Sequence, residues 1–483
     1  MTPSTALVWF RRDLRLHDHP ALAAATERAT RVVPLFVVDT TLLGGRFASA
    51  NRTWFMLASV SALRSSLRAI GSDLVVRVGD PREMVPAVAR EIGASDVFVS
   101  RDHAPYGRAR DRTIADALAA SGVAWHARRG NLVHEPETVA TQEGRPFSVY
   151  SPFRRAWELL DRPATIATPA SLRPAAAAAG HGADLGLAAG PVPTLADLGL
   201  GEAPTASPDL LPEPGEAAAR HRLERWLERG VEGYGANRDR MDLVDGTSRL
   251  SADLRFGLIS PLEVVERAIG PGDGRRTFVH EIVWREFYAN VLFHRPSVRQ
   301  HAFREEFERL PWAIDEAGVA AWREGRTGYP IVDAAMRQLA ATGWMHNRAR
   351  MIAASFLTKD LLADWRVGEA HFMRHLVDGD VASNNGGWQW SASTGTDPQP
   401  YFRIFNPASQ GRRHDPDGAY VRRWLPELAR VPTARIHAPA EMSPDEQAAA
   451  GCRIGIDYPA PIVDHAEARV RALSIYEAAR RTS

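Results

Sequence analysis

The run from Asp378 to Pro407, DGDVASNNGGWQWSASTGTDPQPYFRIFNP, holds the residue types whose spacing could do chemistry. Asp378, Asp380, Asn384, Asn385, Gly386, Gly387, Trp388 and Trp390 crowd into one short stretch. Carboxylates and amides offer hydrogen bonds at fixed points. Glycines let a backbone approach a flat partner closely. Two indoles stand beside them. The stretch is too polar for a plain core element and fits the wall of a bound planar redox ring.

Three further runs carry polar and aromatic groups: GTSRLSADLRFG (Gly246–Gly257), EIVWREFYANVL (Glu281–Leu292) and TGWMHNRARMIAASFLTKDLLADW (Thr342–Trp365). The hydroxyls and backbone N–H groups of Thr247, Ser248 and Ser251 can hold a pyrophosphate if the run opens a helix. Taken alone, TSRLS reads as a helix cap. A single buried tryptophan is ordinarily a packing residue. The only lysine, Lys359, lies in TKD, so there is no Walker A motif, and no GxGxxG follows the first strand.

The elements that must position these runs fall into two kinds. Short valine-rich runs at Ala6–Phe10, Val32–Val38, Leu74–Val78, Asp96–Ser100 and Val123–Ala127 predict buried strands. Amphipathic segments such as Asn51–Ile70 and Pro81–Ile92 lie between them, the second with Asp80 as N-cap and Pro81 at the first helical position. This alternation predicts an α/β domain over 1–130, a parallel Rossmann-like sheet with helices on both faces. Residues 131–215 turn rich in alanine, glycine and proline and read as a long linker with short helical pieces. From 216 to 483 helical patterns dominate: Glu216–Glu228, Pro261–Ala268, Phe278–Phe293, Ile331–Ala340, Asn347–Leu362, Glu369–Leu376 and Ala466–Arg480. The second domain is expected to be all-helical and the larger.

The 483 residues are 45% hydrophobic and 24% charged with a formal net charge of +1, so nucleic-acid contact would need a local patch. The positive charge is almost all arginine, which fits phosphate binding but more often reflects genome composition. One cysteine, Cys452, permits no internal disulfide, Cys-ligated zinc or iron–sulfur site. No metal site is expected. The N-terminus lacks a signal-peptide apolar run, and the expected location is cytoplasmic.

The four runs, in order and wording, together with the opening WFRRDLRLHDHPAL (Trp9–Leu22), resemble the photolyase/cryptochrome family from residue 6 to about 480. Within it they resemble the class I enzymes that act on cyclobutane pyrimidine dimers. The resemblance implies FAD bound in the helical domain by Tyr234, Thr247, Ser248, Arg249, Leu250, Ser251, Arg285, Trp344, Asn347, Arg350, Asp378, Asp380 and Asn384. Arg350 and Asp378 would pair beside the ring, the arginine favouring a reduced, anionic flavin as the active form. Asp380 would hold the ring's polar edge. Asn384 would face the ring nitrogen that gains and loses hydrogen, tuning it without titrating. Trp388, Trp365 and Trp312 match the family's electron-transfer chain from flavin to surface.

The same resemblance implies a lesion pocket of Glu281, Trp284, Asn347, Met351 and Trp390, with Arg348 beside it. Trp284 and Trp390 would clamp the dimer, Glu281 and Asn347 would bond its base edges, and Met351 would fill an apolar gap. Enzymes acting on (6-4) photoproducts carry histidines at the positions of Asn347 and Met351, which this chain lacks. His346 reads as a helix-surface or packing histidine. Photolyases are among the enzymes that extrude their target base. Phosphate contacts would come from Arg238, Arg348 and Arg403, with Arg412, Arg413, Arg422 and Arg423 as further candidates or a solvated basic surface. RDHAPYGRARDR (Arg101–Arg112) resembles members whose antenna is 8-hydroxy-5-deazaflavin more than those binding methenyltetrahydrofolate, with Asp39, Arg52 and Asp102 as contacts. UV-damaged DNA is the expected partner of a monomer. A cryptochrome-type photoreceptor shares the fold, FAD and tryptophans; the dimer pocket and the absence of a long tail after Arg481 favour repair.

Overall fold

The computed structural model describes residues 4–172, 187–201, 210–398 and 400–481. By contacts the chain forms two compact units. One takes the N-terminal part with Pro212–Glu232 and Ser248–Pro296; the other takes Gly233–Thr247 and everything from Ser297 on. This grouping differs from the division by element type at 130 and 216. Part of the stretch read as linker, 173–186 and 202–209, lies outside the described residues.

The first unit carries five strands: β1 (Thr5–Phe10), β2 (Arg31–Asp39), β3 (Val75–Gly79), β4 (Asp96–Ser100) and β5 (Ala124–Arg128). All pair in parallel, in the order β3-β2-β1-β4-β5. Each lies within about one residue of its expected run, because valine-rich segments covered on both faces need no alternation. Every residue of β1 and β4 is buried. The order reverses between β1 and β4, which puts a ligand-binding crevice at the carboxyl ends of the strands. Asp80 caps the next helix, accepting from the Arg82 N–H at 2.9 Å.

The stretch read as linker contains an amphipathic helix, Tyr150–Leu159. Tyr150, Phe153 and Trp157 recur at helical spacing and face inward. This helix packs on Asp273–His294, the helix of the Glu281–Leu292 run. Buried Glu286 ties it there, accepting from the Trp157 Nε1–H at 2.6 Å and from the N–H groups of Val133 and His134.

The second unit is helical, with a core around Trp322, Trp365 and Trp388. The Asp378–Pro407 run, read as a polar wall, contains a helix, Val381–Ala392. Asp380 caps it, accepting from the N–H groups of Ala382 and Ser383 at 3.1 Å each. The helix expected over Asn347–Leu362 is regular only to Ser355 and continues as a π turn, Phe356–Asp360. That turn buries Lys359, whose Nζ donates to the Ala392 carbonyl at 3.3 Å and to Ser393 Oγ at 3.0 Å. Burial pushes its pKa well below the ordinary lysine value. Lys359 thereby fixes the carboxyl end of the Val381–Ala392 helix.

Gly368, in the helix Trp365–His375, fixes the other side. A Cβ there would overlap the Trp388 indole. Gly368→Ala is expected to lower stability by about 1–3 kcal/mol through overpacking. Denaturant unfolding measures this, and the Trp388 fluorescence environment should shift with it.

Candidate functional site

In the second unit, Arg350 and Asp378 meet as the sequence predicts. Arg350 Nη2 donates to Asp378 Oδ2 at 2.7 Å, and Arg350 Nε donates to the Met345 carbonyl at 2.8 Å. Asp378 is 6% exposed, and its Oδ1 is buried without a hydrogen-bond partner among the described residues. A buried acceptor left unmet is costly unless something donates to it. Asn384 Nδ2 donates to the Glu369 carbonyl at 3.1 Å, which leaves the side-chain oxygen as the group that can accept. Glu369 also accepts from Asn385 at 3.1 Å. These contacts hold Asp378, Asp380 and Asn384 along one helix start.

Asn347 opens the helix Asn347–Ser355, and its Nδ2 lies 3.9 Å from Met351 Sδ. The pair is one turn apart on one face. His346 is neither on the surface nor merely packed. It is 3% exposed and caps this helix, its Nδ1 accepting from the Arg348 N–H at 3.1 Å. Burial lowers its pKa to about 4, which keeps the ring neutral and able to accept. Trp344 meets His346 edge-on at 6.3 Å between centroids. Tyr234 starts a short helix, Tyr234–Asn237, and Thr247 ends this unit's segment.

Arg348 Nη2 donates to Asp239 at 2.6 Å, and Arg238 lies 3.9 Å from the same carboxylate. Arg403, Arg412, Arg413 and Arg423 are exposed. Arg422 differs from the surface role considered for it. It donates to the carbonyls of Asp417, Ala429 and Val431, so its guanidinium is occupied in holding a loop.

Trp365 and Trp388 are buried at 1% and 2% exposure, and Trp312 is partly buried. Trp388 meets Phe372 at 4.9 Å and Trp322 at 6.0 Å, both edge-on. Trp322 was not singled out in the sequence. Trp390 is partly buried on the same helix.

In the first unit, Ser248–Leu250 precede the helix Ser251–Phe256. Its N-cap is Leu250, with no side-chain cap bond, so TSRLS does not form the capping box. Arg249 has a left-handed φ of 54°, a conformation non-glycine residues adopt only when the surroundings impose it. Arg285 donates to the carbonyls of Asn131 at 2.7 Å and Leu254 at 3.3 Å. Glu281 and Trp284 lie one turn apart on Asp273–His294, both partly buried.

Of the three candidate antenna positions, Asp39 and Asp102 come together through Arg110 near the strand ends. Asp39, at the end of β2, accepts from the Tyr106 hydroxyl at 2.7 Å. Arg110 reaches Asp39 at 3.7 Å and Asp102 at 3.4 Å. The guanidinium groups of Arg11 and Arg110 both lie over the Trp9 indole, at 4.6 and 4.8 Å. Arg52 sits in the first turn of Ala50–Ala69 and donates to the Phe47 carbonyl. The second part of the Arg101–Arg112 motif opens the helix Pro105–Ala119. Burial opposes the Asp102 charge, but Arg110, Arg11 and Arg12 outweigh it and hold its pKa at about 2. A carboxylate depressed in this way stabilises the fold above its unfolded value and loses that as pH falls through the folded value. Asp102→Asn is therefore expected to cost about 2 kcal/mol near pH 7, the difference shrinking below about pH 4. Urea unfolding at several pH values measures it.

The family model described as "FAD binding domain of DNA photolyase" matches residues 278–478, and that described as "DNA photolyase" matches residues 6–171. A deoxyribodipyrimidine photo-lyase from a Synechococcus strain is 41% identical over 95% of this chain and 93% of its own. The chain belongs to the DNA photolyase family. Among solved structures, a class III photolyase from Agrobacterium tumefaciens aligns with TM-score 0.91 at 38% identity, covering 100% of this chain and 98% of that one. A Synechocystis cryptochrome aligns with TM-score 0.87 at 29% identity, covering 98% and 99%. The α/β domain and the helical FAD-binding domain are thus the photolyase fold, and the fold is shared by repair enzymes and cryptochromes. The unmet Asp378 oxygen beside Arg350 and the accepting oxygen of Asn384 suit the N–H groups of a flavin ring, so the residues present fit FAD.

Proposed function

We propose that the protein is a deoxyribodipyrimidine photo-lyase that splits cyclobutane pyrimidine dimers in DNA under light. The observation that carries the lesion class is the Asn347–Met351 pair on one helical face, where (6-4) enzymes carry histidines. Reduced FAD, excited by blue light, would lend the dimer one electron and recover it once the ring bonds have split.

The chain's own residues bind and orient. Thr247, Ser248, Arg249, Leu250 and Ser251 would hold the pyrophosphate, with Tyr234 as a further contact by the family resemblance. Arg350, Asp378, Asp380 and Asn384 would bond the ring edge, with Trp344 and Asn347 as further contacts. Arg285 is engaged with two carbonyls, so its part would be to shape the site. Trp284 and Trp390 would stack on the flipped dimer and exclude water. Glu281 and Asn347 would bond its base edges, and Met351 would pack against it. Trp388, Trp365 and Trp312 would carry an electron inward from the surface. Arg238, Arg348 and Arg403 would meet phosphates, with Arg348 still sharing Asp239. Such contacts make binding salt-sensitive and tolerant of sequence.

At the strand ends, Asp39, Arg52 and Asp102 would contact an antenna, 8-hydroxy-5-deazaflavin being favoured over a folate by the Arg101–Arg112 wording. The partner would be UV-damaged DNA, the state a monomer and the location cytoplasmic. Among the described residues no helix is long and apolar enough to cross a membrane. The test is loss of a defined dimer from DNA by reduced protein in light and in darkness. A photoreceptor would bind FAD and respond to light without dimer loss.

A further inference from the structure

The helix Tyr150–Leu159 has no part in the reading above, yet it touches a residue that does. The Tyr150 ring lies parallel to the Trp284 indole, with centroids 3.6 Å apart and 7° between planes. Tyr150 is 8% exposed, and its hydroxyl donates to the His280 carbonyl at 2.9 Å. The helix behind it is anchored by the Trp157–Glu286 bond at 2.6 Å and by Phe153 against Phe287 at 5.2 Å. Phe287 and Tyr288 border the indole, each at 5.6 Å. Tyr150 is thus held by packing and by its hydroxyl bond, and it covers one face of Trp284.

We propose that Tyr150 is a positioning residue for lesion binding: it fixes the plane of Trp284 so that the opposite indole face is presented, already ordered, to the flipped dimer. This rests on Trp284 being a lesion contact. An indole ordered before binding loses less freedom when the dimer arrives, so preorganisation appears as affinity. Its effect is confined to damaged DNA, because undamaged DNA is held through phosphates.

The test measures affinity of the holoenzyme for an oligonucleotide with one thymine dimer and for its undamaged twin. Tyr150→Leu is expected to weaken dimer binding by about 3- to 10-fold, a loss of preorganisation rather than of a contact. Undamaged binding should stay within about twofold, a difference below half a kcal/mol. Tyr150→Phe keeps the ring and should restore dimer affinity, although it loses the His280 bond. Tyr150→Met, a flexible filler, serves in place of leucine if that variant does not fold.

Equal weakening toward both DNAs would mean a general structural role and overturn the inference. So would a phenylalanine variant as weak as leucine, since the hydroxyl would then be what matters. Unchanged dimer affinity in the leucine or methionine variant, with Trp284→Ala weakened, would overturn the Tyr150 role alone. Unchanged affinity in Trp284→Ala would remove the lesion-contact reading and this inference with it.

Discussion

Trp284→Ala is expected to bind dimer-containing DNA about 5- to 150-fold more weakly than the parent protein, on the basis of about 1–3 kcal/mol for base–aromatic stacking. The indole is held rather than free. Tyr150 stacks on one face at 3.6 Å, and Phe287 and Tyr288 border it at 5.6 Å each. Truncation removes the surface on which the dimer would lie and leaves a gap that water enters. Binding to undamaged DNA should hardly change, because on the proposed reading arginines and not Trp284 would supply the phosphate contacts. Fold loss is a minor concern, since the indole is only partly buried at this position. Competition binding with damaged and undamaged oligonucleotides measures both numbers. Equal loss for the two DNAs would mean that Trp284 serves structure and not lesion recognition.

Trp312→Phe is expected to slow light-driven reduction of the bound flavin by at least about 100-fold, because a benzene ring is far harder to oxidise than an indole and each 1.36 kcal/mol of barrier is tenfold in rate. Repair by chemically pre-reduced protein should stay near the parent rate, since on the proposed reading the dimer would take its electron from the flavin without passing the chain. Trp312 is the partly buried member of the three, and Trp365 and Trp388 lie in the core. That gradient from surface to interior is what a chain of hops requires. Transient absorption together with a repair assay on pre-reduced protein separates the two effects. Loss of repair by the pre-reduced variant would contradict the division of roles.

The sequence made the sheet legible almost residue by residue, because a strand buried on both faces has to be a short run of apolar, β-branched residues. It was less legible in two places. Asp378–Pro407 reads as polar, yet Val381–Ala392 is a helix, because Asp380 caps it and its Asn385 and Gln389 amides bond the Val298 carbonyl. Periodicity of apolar residues cannot reveal a helix whose buried face is partly amide. The Ala–Gly–Pro composition of 131–215 suggested short helical pieces without placing Tyr150–Leu159, although Tyr150, Phe153 and Trp157 carry the helical spacing. The candidate site residues were named mostly through wording shared with a family. Their partners were not, since Glu369 under Asn384, Arg110 between Asp39 and Asp102, and Tyr150 behind Trp284 are distant in sequence and meet only in the fold. Arg422 shows the converse, an arginine that looks available in sequence and is occupied by carbonyls in the structure.

The central claim is light-driven splitting of a cyclobutane dimer. The most direct measurement incubates chemically reduced protein, without oxygen, with an oligonucleotide carrying one thymine dimer, and follows dimer loss under blue light and in darkness. Loss in light alone, with intact thymines recovered, is the expected result. No loss in either condition, with FAD present and reduced, would contradict the claim and point to photoreception or to a different lesion.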